Sequence, residues 1–242
     1  MYWLKSTRKP VSNVKSQDQN RGDVVGALVD GALVVEEADP RTFEVDFSVL
    51  FPEERANIAG AIVKRQREFI SGRVLARTAM RRLGIRPCAV PLGEDRAPVW
   101  PQGVTGSITH ADTWCAVAVA RVEDVCALGI DIEDDSPLAE ELWPSICTRE
   151  EALWLESIPA PQRGHFAKVA FSAKESAYKA QYCLTRRFLE FNALSVELDQ
   201  QRNSWLATFT PGHRPPEYPW AAVEGHWSCR HGLIATAAVI EV

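Results

Sequence analysis

Apolar and polar positions along the 242-residue chain follow two rhythms, one of period two and one close to 3.6. Between residues 24 and 47, short apolar runs (VVGALV, ALVVEE, FEVDF) broken by Gly and Pro predict strands or strand-turn units. Phe51-Pro52-Glu53-Glu54 then opens a stretch in which Ile58, Ile62, Phe69, Ile70, Val74 and Leu83 recur at helical spacing. That spacing predicts one long helix, started by Pro and acids and ended by Gly84 and Pro87. Residues 91–105 are a Gly- and Pro-rich loop. GSITHADTW leads into CAVAVA, of strand length, and a turn through 121–124 leads to a second strand in VCALGIDIE, so these two are expected to form a hairpin. Residues 137–157 read as helical, Pro159 and Pro161 as breakers, and 165–182 as a further helix. LSVEL, WLATF and LIATAAVIEV complete the strands.

A faint echo links SITHADTWCAVAVA at 107–120 with HWSCRHGLIATAAVI at 226–240, each with a His and a Cys near small apolar residues. With one long helix in each half, it predicts an α+β fold of two similar halves, dividing near 130–135. The expected organisation is a polar leader at 1–22, an N-terminal half at 23–130 and a C-terminal half at 131–242.

Composition narrows the class. With 46% hydrophobic residues the chain can bury one large or two small cores. It has no apolar run long enough for a membrane span, and its first 20 residues, MYWLKSTRKPVSNVKSQDQN, lack signal-peptide features, so a cytoplasmic protein is expected. The cysteines at 88, 115, 126, 147, 183 and 229 include no C-x-x-C pair. They read as buried reduced thiols, and their spacing gives no reason to expect zinc. The net charge of −5 hides a strong asymmetry. Residues 64–86 hold eight basic side chains against Glu68, and 123–156 hold eleven acids against Arg149. Two solvated helix faces would account for this; so would a polyanionic ligand held with a divalent cation. Nucleic acid is disfavoured by the net negative charge and the lack of interleaved aromatics.

Four constellations carry candidate chemistry. Asp131 and Glu133 flank Ile132 in GIDIE, so on a strand both carboxylates project to one side while Ile130 and Ile132 face a core. Like charges so close repel unless neutralised, and oxygen donors suit Mg²⁺; a solvent-facing strand end is the plainer alternative. In FSAKESAYK, Glu175 and Lys179 are i,i+4 neighbours, either a surface salt bridge or a metal ligand beside a phosphate contact. In GSITH, Gly106 would allow a tight turn, with backbone amides and hydroxyls near His110 able to hold phosphate. Arg65, Arg67, Arg73 and Arg77 line a helix, and guanidinium forks match phosphate oxygens.

The order of the pieces is more specific than any one of them. Arg65-x-x-x-Phe69-x-x-x-Arg73-x-x-x-Arg77, then GEDRAPVWP, GSITH, GIDIE and FSAKESAYK, resembles the Sfp-type 4′-phosphopantetheinyl transferases, most of all the enterobactin-synthetase branch, over about residues 50–195. The resemblance implies a pseudodimer of two α+β halves with the active site in the cleft between them. It implies Asp131, Glu133 and Glu175 as ligands of Mg²⁺ (or Mn²⁺), and Lys179 at the pyrophosphate of coenzyme A. Thr109 and His110 would lie near the adenosine phosphate. Arg65, Arg73, Arg77 and Arg96 would be further contacts to coenzyme A, and Asp131 would also face it. Glu175 and Lys179 would be catalytic, and apo carrier domains (peptidyl, aryl or acyl) the partners of a monomeric enzyme. Ile132 offers no side-chain ligand, so water must fill that position. A non-catalytic coenzyme A- or carrier-binding module and a metal-dependent phosphodiesterase are the competing readings.

Overall fold

The structure, a computed structural model, describes residues 23–242; the expected leader at 1–22 lies outside them. The N-terminal part contributes β1 (Leu33–Ala38), α1 (Pro52–Arg55), α2 (Val63–Arg82), β2 (Val104–Ala111) and β3 (Trp114–Arg121). The C-terminal part contributes β4 (Val125–Asp134), α3 (Trp143–Ile146), α4 (Arg149–Ser157), α5 (Ala160–Thr185), β5 (Leu194–Asp199), β6 (Ser204–Phe209), β7 (Ala222–Arg230) and β8 (Leu233–Glu241). The strands form two antiparallel sheets, ordered β1-β3-β2 and β4-β8-β7-β6-β5.

Strand alternation decides how the layers stack. On β3, Cys115, Val117 and Val119 pack with Leu75, Ala76 and Met80 of α2. The alternate residues Trp114, Ala116, Ala118 and Ala120 join a central apolar seam with Leu128, Ile130 and Ile132 of β4 and Leu233, Ala235 and Ala237 of β8. On β8, Ile234 and Ala238 point the other way, into the core under α5. The period of two thus sends one face of each sheet to the shared seam and the other to its own helix. For β4 this leaves Gly129, Asp131 and Glu133 on the α5 side.

Gly129 shows how close that packing is. A Cβ there would lie 2.0 Å from the Ser176 carbonyl oxygen of α5. Because the clash is with helix backbone, Gly129→Ala is expected to cost at least the 1–3 kcal/mol or so typical of overpacking. A lowered urea midpoint would register it; an unchanged midpoint would mean that α5 and β4 are not in contact here.

Several expectations need correction. The stretch 51–83 is two helices, not one. The turn at 56–62 contains Gly60, and its Asn57 side chain accepts the Leu92 N–H at 3.2 Å. Ile58 remains buried while Ile62 is 73% exposed, so the periodicity did not mark a continuous buried face. FEVDF forms no strand; Asp46 instead caps a short 3₁₀ turn through the Ser48 N–H. CAVAVA and VCALGIDIE do not pair. β3 already has β1 and β2 on its two edges, so the turn at 122–124 carries the chain into the other sheet, where β4 pairs with β8. β7 is a strand beyond those expected, its buried Val223, Gly225 and Trp227 alternating with exposed Glu224 and His226. Gly106 sits within β2 rather than at a turn, and a Cβ there would meet the Trp100 ring at 2.5 Å. All six cysteines are free; Cys115 is buried, Cys126 half-buried and Cys229 exposed. The end of α2 is as read: Gly84 (φ 70°) donates to Arg81 O and Ile85 to Met80 O, a Schellman motif.

The two halves repeat one another in detail. Glu54, the third residue of α1, is fully buried and accepts from Arg77 of α2 and from the Val90 N–H, while Arg77 also donates to Val49 O. Glu151, the third residue of α4, accepts from Lys174 of α5 and from the Val196 N–H, while Lys174 also donates to Ile146 O. The carboxylate and its cation are 23 residues apart in both, and cation and carbonyl 28 apart in both. The hairpins β2–β3 and β7–β8 correspond, as do β1 beside β3 and β4 beside β8. This is consistent with the duplicated α+β architecture that the resemblance implies.

Candidate active site

Helical spacing puts Lys168, Ser172, Glu175 and Lys179 along one stripe of α5. The stripe meets the α5-facing acids of β4. Asp131, 4% exposed, is the hub. Its Oδ1 accepts from Lys179 Nζ at 2.6 Å and from Thr109 Oγ1 at 3.3 Å, and its Oδ2 accepts from Ser172 Oγ at 2.9 Å. Lys179 also donates to Ile130 O at 3.1 Å and lies 4.0 Å from Glu175. Lys168 lies 3.6 Å from Glu133 and 3.7 Å from Asp134.

Charge here is crowded. Burial, reinforced by Asp131 and opposed by Lys168, pushes the Glu133 carboxyl up to about 7. Burial also raises Glu175, with Lys179 opposing and Asp131 adding to the rise. Burial alone would lower Lys179, but Asp131 and Glu175 outweigh it and hold the ammonium above its usual range. Asp131 and Glu175 thus both lie within ion-pair distance of this one cation.

β2 brings the second group. The Thr109 hydroxyl accepts the Ile132 N–H at 3.0 Å and Ser107 Oγ accepts the Ile130 N–H at 3.2 Å, so GSITH stitches the two sheets together. His110 Nε2 lies 2.6 Å from Arg65 Nη1, and its Nδ1 lies 3.7 Å from Glu68. A guanidinium can only donate, so Nε2 accepts and the ring is neutral with its proton on Nδ1. Burial lowers this histidine further, against the pull of Glu68.

Arg65, Thr109, His110, Asp131, Glu133, Glu175 and Lys179 thus gather at the junction of the halves. The other arginines do not join them. Arg73 is buried, donates to Val90 O at 2.7 Å and stacks 4.0 Å over Phe69; burial pushes it down to about 10. Arg77 is committed to Glu54 in the N-terminal core, where it has no free edge for a ligand phosphate. Arg96 is exposed in the left-handed position (φ 66°) of a turn whose Asp95 accepts from the Tyr182 hydroxyl of α5. Lys168, Ser172 and Glu68 were missed. The first two repeat the spacing of Glu175 and Lys179 along α5 and were legible from it; Glu68 is placed only by the fold.

Beside Glu175, a cavity of about 240 Å³ is lined by Tyr178, Phe188, Leu189 and Phe191, with Phe188 itself 75% exposed. A larger groove of about 990 Å³ lies over β5–β8 and shares no residue with this site. Of the gathered site residues, Glu175 lines the smaller cavity, so the cluster of titratable groups meets that cavity through this carboxylate. An oxygen-only donor set in mutual repulsion fits a hard divalent cation. Asp131 and Glu175 flank Lys179 while Glu133 faces Lys168, so the three acids do not close on each other; among the described residues, the trio whose ligand atoms all lie within 4.8 Å is elsewhere.

Residues 53–120 match the 4'-phosphopantetheinyl transferase N-terminal domain, and residues 127–237 match the 4'-phosphopantetheinyl transferase superfamily. The chain is 36% identical over 219 residues to 4'-phosphopantetheinyl transferase Svp of Streptomyces mobaraensis, covering 90% of this chain and 89% of that one. The chain belongs to the 4'-phosphopantetheinyl transferase superfamily. It is also 36% identical to 4'-phosphopantetheinyl transferase Npt of Nocardia iowensis, over 77% of this chain and 87% of that one. Enterobactin synthase component D of Escherichia coli K12 is 34% identical, over 83% of this chain and 89% of its own. In this transferase-superfamily chain, the first family match ends within β3 and the second begins within β4, on either side of the turn that joins the sheets.

Proposed function

We propose that the chain transfers the 4′-phosphopantetheine arm of coenzyme A to a serine of apo carrier domains, releasing 3′,5′-ADP. The observation that carries this reading is the placing of Asp131 and Glu175 at Lys179, with Glu133 next along the same face of β4, beside the Arg65–His110 pair. The serine oxygen attacks the β-phosphorus, the phosphoanhydride bond to the α-phosphate breaks, and the serine proton passes to a base.

Mg²⁺ or Mn²⁺, held by Asp131, Glu133 and Glu175, would supply positive charge against the charge that grows on the α-phosphate of the leaving nucleotide. Lys179 supplies a second positive contact to the same oxygens. It is held for that task by Asp131, which is in turn fixed by Ser172 and Thr109. Arg65 is half-exposed and donates to His110, which orients the guanidinium so that its remaining N–H groups are offered to the nucleotide phosphate. Glu175 is the proposed base, through the carboxylate oxygen not given to the ion; it lines the cavity at Tyr178 and Phe188 by which the acceptor serine would enter. Arg73 and Arg77 act in this scheme by holding α2 rather than by touching coenzyme A, and Arg96 serves as an outer contact. The N-terminal half at 23–130 then carries the coenzyme side and the half at 131–242 the metal and catalytic side.

The acceptors are peptidyl, aryl or acyl carriers of siderophore or other secondary-metabolite synthesis, met by a monomeric cytoplasmic enzyme. No helix among the described residues is long and apolar enough to cross a membrane. Incubating several apo-carriers with coenzyme A and Mg²⁺ is expected to add about 340 Da, the mass of the arm, to one serine. Free phosphopantetheine without carrier labelling would instead indicate a hydrolase. Coenzyme A binding with no reaction on any carrier class would indicate a non-catalytic module.

A further inference from the structure

We propose that Asp135, His165 and Cys229 form a second metal site, selective for a thiophilic divalent ion of the Zn²⁺ type and separate from the acidic site around Asp131. The three residues are far apart in sequence and meet only in the fold. Asp135 directly follows β4, and its N–H donates to Gly232 O at 3.0 Å, which pins it against the β7–β8 turn. Cys229 shares a pleat face with Trp227 and Val223, both in the core beneath α5, so the thiol points toward that helix. His165 stands in the second turn of α5, its ring set edge-on to Phe166 at 5.2 Å and to Trp227 at 6.4 Å.

His165 Nδ1 lies 2.8 Å from Asp135 Oδ1 and its Nε2 lies 3.8 Å from Cys229 Sγ, so a shared ion requires the ring to turn and present one nitrogen to both partners. One ligand atom from each residue falls within 4.8 Å of the others. Bond lengths of about 2.0 Å to nitrogen and 2.3 Å to sulfur put two ligands on a tetrahedral zinc about 3.5 Å apart. Small side-chain rotations close the remaining gap, and about a third of the His165 and Asp135 side chains is exposed, so an ion can enter without unfolding. A sulfur, a nitrogen and an oxygen favour zinc over magnesium, whereas the all-oxygen set at Asp131, Glu133 and Glu175 has the opposite preference. On binding, the Cys229 proton leaves to solvent as the sulfur–metal bond forms, and a fourth position stays open to water. The ion would tie the end of β4, the start of α5 and the end of β7. It would sit one helical turn from Lys168, the partner of Glu133.

The test uses the full chain titrated with Co²⁺ in excess Mg²⁺. A near-ultraviolet thiolate-to-cobalt absorption that saturates at one equivalent and is displaced by Zn²⁺ is expected. Cys229→Ser should abolish the band, and His165→Ala and Asp135→Asn should each weaken Zn²⁺ binding tenfold or more. Cys229→Ser should keep its circular dichroism and its Mg²⁺-dependent carrier labelling, because Cys229 lies outside the acidic site. Zn²⁺ should also raise the Tm of the parent chain more than that of this variant. A band that persists in Cys229→Ser would assign the ligand to another cysteine and overturn the site, as would a spectrum of oxygen ligands alone.

Discussion

Asp131→Asn is expected to reduce carrier labelling by at least about a hundredfold, the scale on which loss of one preorganised electrostatic group acts on transition-state charge. The substitution keeps the shape of the side chain and one acceptor oxygen for Ser172 or Thr109, but removes the charge that holds Lys179 at 2.6 Å. Lys179 then keeps Ile130 O and the more distant Glu175, so its position at the substrate diphosphate is lost together with one ligand of the divalent cation. Asp131→Ala should be as inactive and also less stable, since it leaves two hydroxyls and an ammonium short of their acceptor. Initial rates of mass gain on an apo-carrier are the measurement. A rate within about threefold of the parent for Asp131→Asn would remove Asp131 from the mechanism, whatever the family of the chain.

The largest stability loss is expected at Glu151, the buried partner of Lys174. Its carboxylate accepts from Lys174 Nζ at 2.7 Å and from the Thr148 and Val196 N–H groups at 2.6 Å each. Lys174 is 1% exposed; burial lowers its proton affinity and Glu151 opposes that fall. Glu151→Ala leaves a buried ammonium without its counter-charge and two backbone donors unpaired. The expected cost is about 3–5 kcal/mol, out of a total of roughly 5–15 kcal/mol for a typical fold. Glu151→Ala combined with Lys174→Met should recover part of it, because the stranded charge is gone. Urea denaturation of the parent chain and both variants checks this. A midpoint unchanged in Glu151→Ala would show that the pair is solvated. Arg187 and Glu217 form an equally short pair on the surface, at 2.7 Å, and breaking it should leave the midpoint unchanged. Burial, not distance, separates the two cases.

The same contrast explains which arginines could be read as ligand contacts. Arg65 and Arg77 look alike in a motif, yet one is half-exposed beside His110 and the other is enclosed with Glu54. A pattern of cations on one helix records that charge is present, not whether a carboxylate 23 residues away already holds it.

The sequence by itself determined the local elements and the chemistry they carry. Alternation in GIDIE set both acids on one face of β4, helical spacing set Glu175 and Lys179 on one face of α5, and Gly84 ended α2. These depend on neighbours within a turn or a pleat, and the order of the motifs was enough to suggest the family. Only the tertiary structure decided that β4 joins β8 rather than β3, that Thr109 braces Asp131, that Arg77 is spent on Glu54, and that Asp135, His165 and Cys229 meet. The physical reason is that strand partners and buried counter-charges are chosen by competition among all surfaces of the chain, and no window of sequence contains the competitors.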